Sequence, residues 1–330
     1  MVCSGVKVLY IYAHARSGST LLDRMLGQAD GYISTGEMRH IWTDGFRDNY
    51  LCGCERQFQS CEFWQAVVKA AFPDPATVDH AKLAALGLDL EKRSLLARRL
   101  PQMAMGRMTK RLRDHFQPLV DHTAPIYQAI HDVSGGQVIV DSSKTPAYAL
   151  MLKHIPGIEM HVVHLVRDSR AVAFSSQRKK KRPEIQSADT FMATVTPRQS
   201  ALTWIACNGI GHGLSRAFGS YTVIRYEDLV SEPVRTLTAI MRAVSEPVPA
   251  LDYVSQGELR LTPAHTVAGN PMRFQSGTLS LRTDAEWMQK MNARQRRLVT
   301  SLSSPLLARY GYLSSRPRRL TVDSSQPVGS

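Results

Sequence analysis

The chain has 330 residues, 43% hydrophobic and 21% charged, with 41 Lys and Arg against 28 Asp and Glu for a formal net charge of +13. Such a length and apolar content suffice for a large core and exclude a largely disordered chain, and five cysteines exclude a disulfide scaffold. The excess of positive charge calls for an anionic partner: nucleic acid, an anionic membrane or a polyanionic small molecule. No stretch has the apolar length of a membrane span, and no basic segment precedes an apolar one at the N-terminus, so a cytoplasmic protein is expected.

The first element is a short apolar run, Val6 to Tyr12, that predicts a buried strand. The small, polar turn Ala13-His-Ala-Arg-Ser-Gly-Ser-Thr20 then leads into a helix over Thr20 to Gln28. A loop so placed aims backbone N–H groups, a helix dipole and Arg16 at one point, which is an anion site suited to a phosphate. It departs from the phosphate loop of nucleoside-triphosphate hydrolases, G-x-x-x-x-G-K-[ST]. Gly18 and Thr20 fit that pattern, but Ala13 stands at the first glycine and Ser19 at the lysine. The bland alternative makes Ser17 or Ser19 a simple helix N-cap.

A second strand is expected over Gly31 to Glu37, followed by helices from Glu62 to about His131. One starts at Phe63 and stops at Pro73 and Pro75. The stretch Asp89 to Phe116 carries Arg, Leu and Met at helical spacings, and a further helix covers Leu119 to Val133, with Pro125 a candidate start. Strand signals return at Gln137–Asp141, Met160–Val166 and Tyr221–Arg225, each followed by a helix. Strands alternating with helices predict an α/β fold: a P-loop-like, mainly parallel sheet flanked by helices, with a helical insertion over about 62–135. One domain over residues 1–315 and a disordered basic tail over 316–330 are expected. Arg16, Glu37, Lys144, Arg167 and Tyr226 all fall just past a strand end, where ligands of such sheets bind.

Cys52, Cys54 and Cys61 form a C-x-C-x6-C cluster, for which His40 is the nearest fourth zinc ligand in sequence. The spacing is not that of a standard zinc finger, so structural thiols and no metal are expected. The basic run Arg178 to Arg182, leading to Thr196-Pro197, reads as a lid or acceptor-binding segment, or as a solvated connection.

Taken together these residues resemble the sulfotransferases that use 3′-phosphoadenosine 5′-phosphosulfate (PAPS), in particular their bacterial and protein-tyrosine branches. Arg16 to Leu22 looks like the family's 5′-phosphosulfate loop. His164-Leu-Val-Arg167-Asp168 with Ser175 looks like its 3′-phosphate motif, an arginine and a serine eight residues later. Arg225 to Leu229 resembles the segment whose tyrosine, here Tyr226, packs beside adenine, and Gly269 to Arg273 resembles a C-terminal loop in which Arg273 adds a 3′-phosphate cation. The resemblance implies PAPS as donor and a hydroxyl, less readily an amine, of a small-molecule, lipid or glycan acceptor.

In that reading Arg16, Ser17, Gly18, Ser19 and Thr20 cradle the phosphosulfate. Glu37 is the base and Lys144 faces the sulfuryl group, with His14, His40 and His265 as rival bases. No metal is required, since arginines and a helix dipole carry the positive charge. The rival functions are an ATP-dependent small-molecule kinase, disfavoured by the missing lysine, and a non-catalytic nucleotide- or nucleic-acid-binding protein. The Arg178 to Arg182 run has no interleaved aromatics, so no nucleic acid is expected.

Overall fold

The computed structural model describes residues 5–185, 190–244 and 247–314, so the tail expected to be disordered lies outside the described residues. Five strands, β1 (Val6–Ala13), β2 (Tyr32–Gly36), β3 (Val138–Lys144), β4 (Ile158–Val166) and β5 (Tyr221–Arg225), form one sheet in the order β2-β3-β1-β4-β5. Every pairing is parallel. The order reverses beside β1, the place where a parallel sheet opens a crevice at its carboxyl edge.

Both faces of the sheet are covered, and β1 shows how. Val6, Val8, Tyr10 and Tyr12 point into one apolar cluster, while Leu9, Ile11 and Ala13 point into the other. A strand buried on both sides has to be a continuous apolar run, which is why it was legible without alternation. The second face is filled by α1 (Ser19–Leu26) with Leu22, Met25 and Leu26. The first is filled by helices between β2 and β3: α2 (Glu62–Ala71), α3 (His80–Leu90), α4 (Arg93–Ala104) and α5 (Lys110–Ser134).

Helix α5 begins well before the expected Leu119 or Pro125. Thr109 caps it, accepting from the Leu112 N–H at 3.3 Å, and it runs through Pro118 and Pro125. Its Phe116, Leu119, Ile126, Tyr127 and Ile130 are buried. Burial of that stripe offsets the backbone bonds the two prolines remove.

The remaining helices are α6 (Pro146–Lys153), α7 (Ser169–Ser176), α8 (Pro197–Leu214), α9 (Tyr226–Ser231), α10 (Pro233–Arg242), α11 (Glu286–Lys290) and α12 (Ala293–Arg309). A small antiparallel sheet, β6 (Val254–Ser255), β7 (Glu258–Leu261) and β8 (Gly277–Ser280), was not expected, its strands being too short to show a period. Among the described residues no helix is long and apolar enough to cross a membrane.

Two irregularities shape the carboxyl edge. Between Tyr10/Tyr12 the β3 strand carries one extra residue, and between Ser34/Gly36 the β2 strand does. Bulges of this kind re-aim the side chains that follow, here Lys144 and Glu37. The segment 264–268 covers the outer edge of β2: the Val267 N–H donates to Thr35 O at 2.9 Å and the Glu37 N–H to Ala268 O at 3.2 Å. It lies so close that a Cβ on Gly36, at φ +74, would stand 2.6 Å from Ala268 O.

Gly36→Ala therefore has both a conformational and a steric cost, together about 1–3 kcal/mol. A thermal melt should show Tm lowered by roughly 3–10 °C. An unchanged Tm would mean that the 264–268 segment is not held against β2.

Candidate active site

The turn after β1 holds two residues in the left-handed region, Arg16 at φ 68 and Gly18 at φ 92, which bring the chain abruptly into α1. Gly18 is the N-cap residue, and no side chain caps the helix, so neither Ser17 nor Ser19 takes the simple capping role. The first N–H groups of α1 are thus left for a ligand. Gly18 is required by contact as well as by φ, since a Cβ there would meet the Tyr226 ring at 2.4 Å. The Arg167 guanidinium stacks on the same ring, 4.3 Å from its centroid, and donates to Arg16 O at 2.9 Å. Gly18, Tyr226 and Arg167 form one stack that joins the ends of β1, β4 and β5.

Arg167 also pairs with Asp284 at 2.8 Å, a partner on a loop with no sequence signal. The Arg16 guanidinium meets carbonyl oxygens of Ser175 and Arg178 and Met192 Sδ, each at 3.2 Å. Burial, and then the neighbouring Arg167, lower its pKa.

At the ends of β2 and β3, Lys144 pairs with Glu37 Oε1. Arg39 lies 3.1 Å from the other carboxylate oxygen and His40 3.9 Å from it. Lys144 sits at φ 70, so the backbone itself is bent to bring the ammonium to the carboxylate. Burial pushes the Glu37 carboxyl up, but Lys144, Arg39 and His40 outweigh it and hold it at about 2. Burial and Arg39 in turn hold His40 below its ordinary value.

Several of these groups line one cavity of about 470 Å³. Of the residues singled out from sequence, Arg16, Gly18, Ser19, Thr20, Glu37, Lys144, Arg167, Ser175 and Tyr226 line it. Lys180, Met192 and the loop Gly269–Met272 with Gln275 complete the wall. The Met192 N–H donates to Lys180 O at 2.8 Å and the Arg182 N–H to Thr190 O at 2.9 Å, so residues 190–192 pair with the basic run beside the site. Lys180 had no separate signal inside a run of five cations. Desolvation and the nearby Arg16, Arg167 and Arg178 pull its pKa down.

Ser17 and Arg273 are not in the wall. Ser17 is buried, and its N–H closes the turn onto His14 O at 3.2 Å. Arg273 is 1% exposed, and its guanidinium donates to Thr266 O and Leu51 O, each at 2.6 Å. Its guanidinium is held by these two carbonyls and is not part of the cavity wall. Of the rival bases, His14 bonds Thr203 Oγ1 at 3.0 Å and His265 lies against Cys61, both outside the wall, while His40 touches Glu37.

The carboxyl of Glu37 is depressed relative to the unfolded chain, so its pairing stabilises the fold above the ordinary carboxylate range and is lost as pH falls toward about 2. Between about pH 5 and pH 2 the wild type should therefore lose on the order of 2 kcal/mol more than Glu37→Gln. Parallel thermal melts across that range test this. Identical acid profiles would show that the pair contributes nothing.

A model of the sulfotransferase family matches residues 9–250. Among solved structures, a sulfotransferase domain from the curacin biosynthetic pathway aligns at 17% identity and TM-score 0.45, covering 92% of this chain and 99% of its own. The sulfotransferase STF1 of Mycobacterium tuberculosis H37Rv aligns at 15% identity and TM-score 0.38, covering 74% of this chain and 68% of its own. No curated protein matches the sequence. With the family model spanning the sheet from β1 through β5, the chain belongs to the sulfotransferase family.

Proposed function

We propose that this sulfotransferase takes the sulfuryl group from PAPS and passes it to a hydroxyl of a small-molecule, lipid or glycan acceptor, with Glu37 as the base. The observation that carries the reading is the charge of the cavity: among the described residues Arg16, Lys144, Arg167 and Lys180 face a single lining carboxylate, Glu37. A donor with a phosphosulfate at one end and a phosphate at the other matches such a wall at two places.

The phosphosulfate goes to the N-terminus of α1, against the backbone N–H groups after Gly18, the hydroxyls of Ser19 and Thr20, and Arg16. The 3′-phosphate goes to Arg167 and Ser175, with Lys180 as a further cation in place of Arg273. Tyr226, already a platform for the Arg167 guanidinium, flanks the adenine. Ser17 shapes the turn and makes no direct contact.

Transfer then needs in-line attack by the acceptor oxygen on sulfur, loss of its proton, and neutralisation of the departing phosphate. A carboxylate held at about 2 is a feeble base. The oxygens of an incoming sulfuryl group compete for Lys144, and as the ammonium turns to them Glu37 loses its strongest partner. Its proton affinity rises when the acceptor proton has to leave. The proton passes from the acceptor O–H to Glu37 as the O–S bond forms and the bond from sulfur to the phosphate oxygen breaks. An ATP-dependent kinase would need the lysine that the α1 loop lacks, and Lys144 comes instead from β3 and is paired to an acid.

Calorimetry with adenosine 3′,5′-bisphosphate at low salt, beside transfer from labelled PAPS to a panel of hydroxyl acceptors, tests each part. Arg167→Ala should weaken bisphosphate binding roughly 10- to 100-fold. Glu37→Gln should keep that binding and lose about 10²- to 10⁴-fold in kcat. A wild type that does not bind the bisphosphate refutes the donor, and a fully active Glu37→Gln refutes the base.

A further inference from the structure

Away from the cavity, Cys52, Cys54, Cys61 and His265 converge so that one ligand atom from each lies within 4.8 Å of all the others. Cys54 Sγ is 3.6 Å from Cys61 Sγ, and His265 Nδ1 is 3.2 Å from Cys61 Sγ and 4.0 Å from Cys52 Sγ. Four ligands at the corners of a tetrahedron around zinc, with Zn–S near 2.3 Å, stand about 3.8 Å apart. The separations of 3.2, 3.6 and 4.0 Å found here bracket that value.

The surroundings are shaped to keep it. Cys52 and Cys61 are fully buried, and Cys54 and His265 are partly so. The loop between the first two cysteines is tight: the Glu55 N–H donates to Cys52 O at 2.8 Å, and Glu55 itself lies at φ 67. Gly53 presses on the His265 segment so closely that a Cβ would meet Thr266 Oγ1 at 2.3 Å, and its N–H donates to Thr266 O at 3.0 Å. Phe63 stacks on the His265 ring at 4.8 Å, fixing its plane. Arg273 donates to the carbonyls of Leu51 and Thr266, the residues adjacent to Cys52 and His265. Three thiolates and a neutral imidazole around a dication leave one net negative charge, and a buried guanidinium beside them offsets it.

We infer that these four residues hold a structural zinc ion, Cys3His, that staples the 52–61 loop to the 264–268 segment. Binding exchanges the thiol protons for Zn–S bonds and involves no redox step. Soft thiolate and imidazole donors in this geometry favour zinc over the hard divalent cations. All four coordination positions are filled by protein, as in a closed structural site. The 264–268 segment covers the edge of β2 up to Glu37 and continues into the cavity loop from Gly269, so the ion sets the position of one wall of the site without touching it. The expectation of plain structural thiols with no metal is thereby replaced. His40, the nearest histidine in sequence, is engaged with Glu37 and Asp44 instead.

The test is the metal content of the full chain, purified under reducing conditions from zinc-replete medium and measured by plasma mass spectrometry. One zinc per chain is expected in the wild type and in Cys207→Ser, whose thiol lies elsewhere. Loss of most of it is expected in Cys54→Ser and His265→Ala, with recovery in His265→Cys. Should a variant fail to fold, the wild type still decides. Chelation should lower its Tm by roughly 5 °C or more, restored by added zinc. Cobalt(II) added to the stripped chain should give the visible bands of a tetrahedral thiolate site. Wild type without metal and without the cobalt spectrum overturns the proposal, as does a Cys54–Cys61 disulfide in the freshly purified chain.

Discussion

Four cationic side chains converge on one cavity, and the fold has to hold them there against their mutual repulsion. Two unit charges about 4 Å apart interact by about 4 kcal/mol at an effective dielectric constant of 20, so the arrangement is costly unless each cation is given a partner. Three of the four are given partners that a ligand can outbid. Lys144 has Glu37, Arg167 has Asp284 and the face of Tyr226, and Arg16 has only carbonyl oxygens and a thioether. Burial first, and then the neighbouring cations, lower the pKa values of Arg16 and Lys180. An anion with several charges relieves that repulsion, and the affinity it gains is energy that folding left stored in the site.

The rigidity behind this comes from two arginines that never reach the cavity. Arg24, fully buried in α1, donates to the carbonyls of Arg273, Thr262 and Gln275 and so ties the cavity loop to the helix of the anion turn. Arg273 ties the same loop to the 51–54 turn. Guanidinium groups suit such work because five donors in a fixed plane can bind several carbonyls at once. Burying them without a carboxylate is expensive. Arg24 has Asp23 beside it, yet burial pushes that carboxyl up to about 7 despite the Ser34 hydroxyl and the arginine. Among the described residues Arg273 pairs directly with no carboxylate, and the Glu184 carboxylate, with Cys52, Asp44 and Glu37, only partly offsets its burial.

The sheet was legible because β1, β3, β4 and β5 are apolar runs buried on both faces, and because each ends at a polar residue that reaches the crevice. The sequence marked Arg16, Glu37, Lys144, Arg167 and Tyr226 for the same reason, and all five line the cavity. What could not be read were features that depend on long separations or on single backbone angles. Cys61 and His265 are 204 positions apart, and the docking of Gly53 on Thr266, with Phe63 stacked on His265, brings them together. Arg273 sits in a loop that looked right by order, but its direction is fixed by two carbonyls that sequence does not encode. The bulges in β2 and β3 and the left-handed backbone at Lys144 leave no composition signal either. The helix starts before the expected Leu119 or Pro125 because the buried stripe from Phe116 to Ile130 outweighs the helix-breaking effect of its two prolines.

The bulges are where fold and chemistry meet. Without the extra residue in β3, Lys144 would continue the strand's alternation, and without that in β2 the carboxylate of Glu37 would do the same. Both distortions are needed to bring an ammonium and a carboxylate from neighbouring parallel strands into contact at the crevice, and Lys144 adopts a left-handed backbone to complete it. Backbone strain of this kind costs of order 1–3 kcal/mol and persists where the surroundings over-determine it. A structural ion pair could be built more cheaply from longer side chains on unstrained strands. The strain is intelligible if the pair is meant to be separated. A lysine held by one carboxylate can be drawn off by a more highly charged group, and the carboxylate it leaves behind becomes a better proton acceptor. On the proposed mechanism, Glu37 would be weak as a base until the sulfuryl group arrives, and the group that activates it would be the one to be transferred.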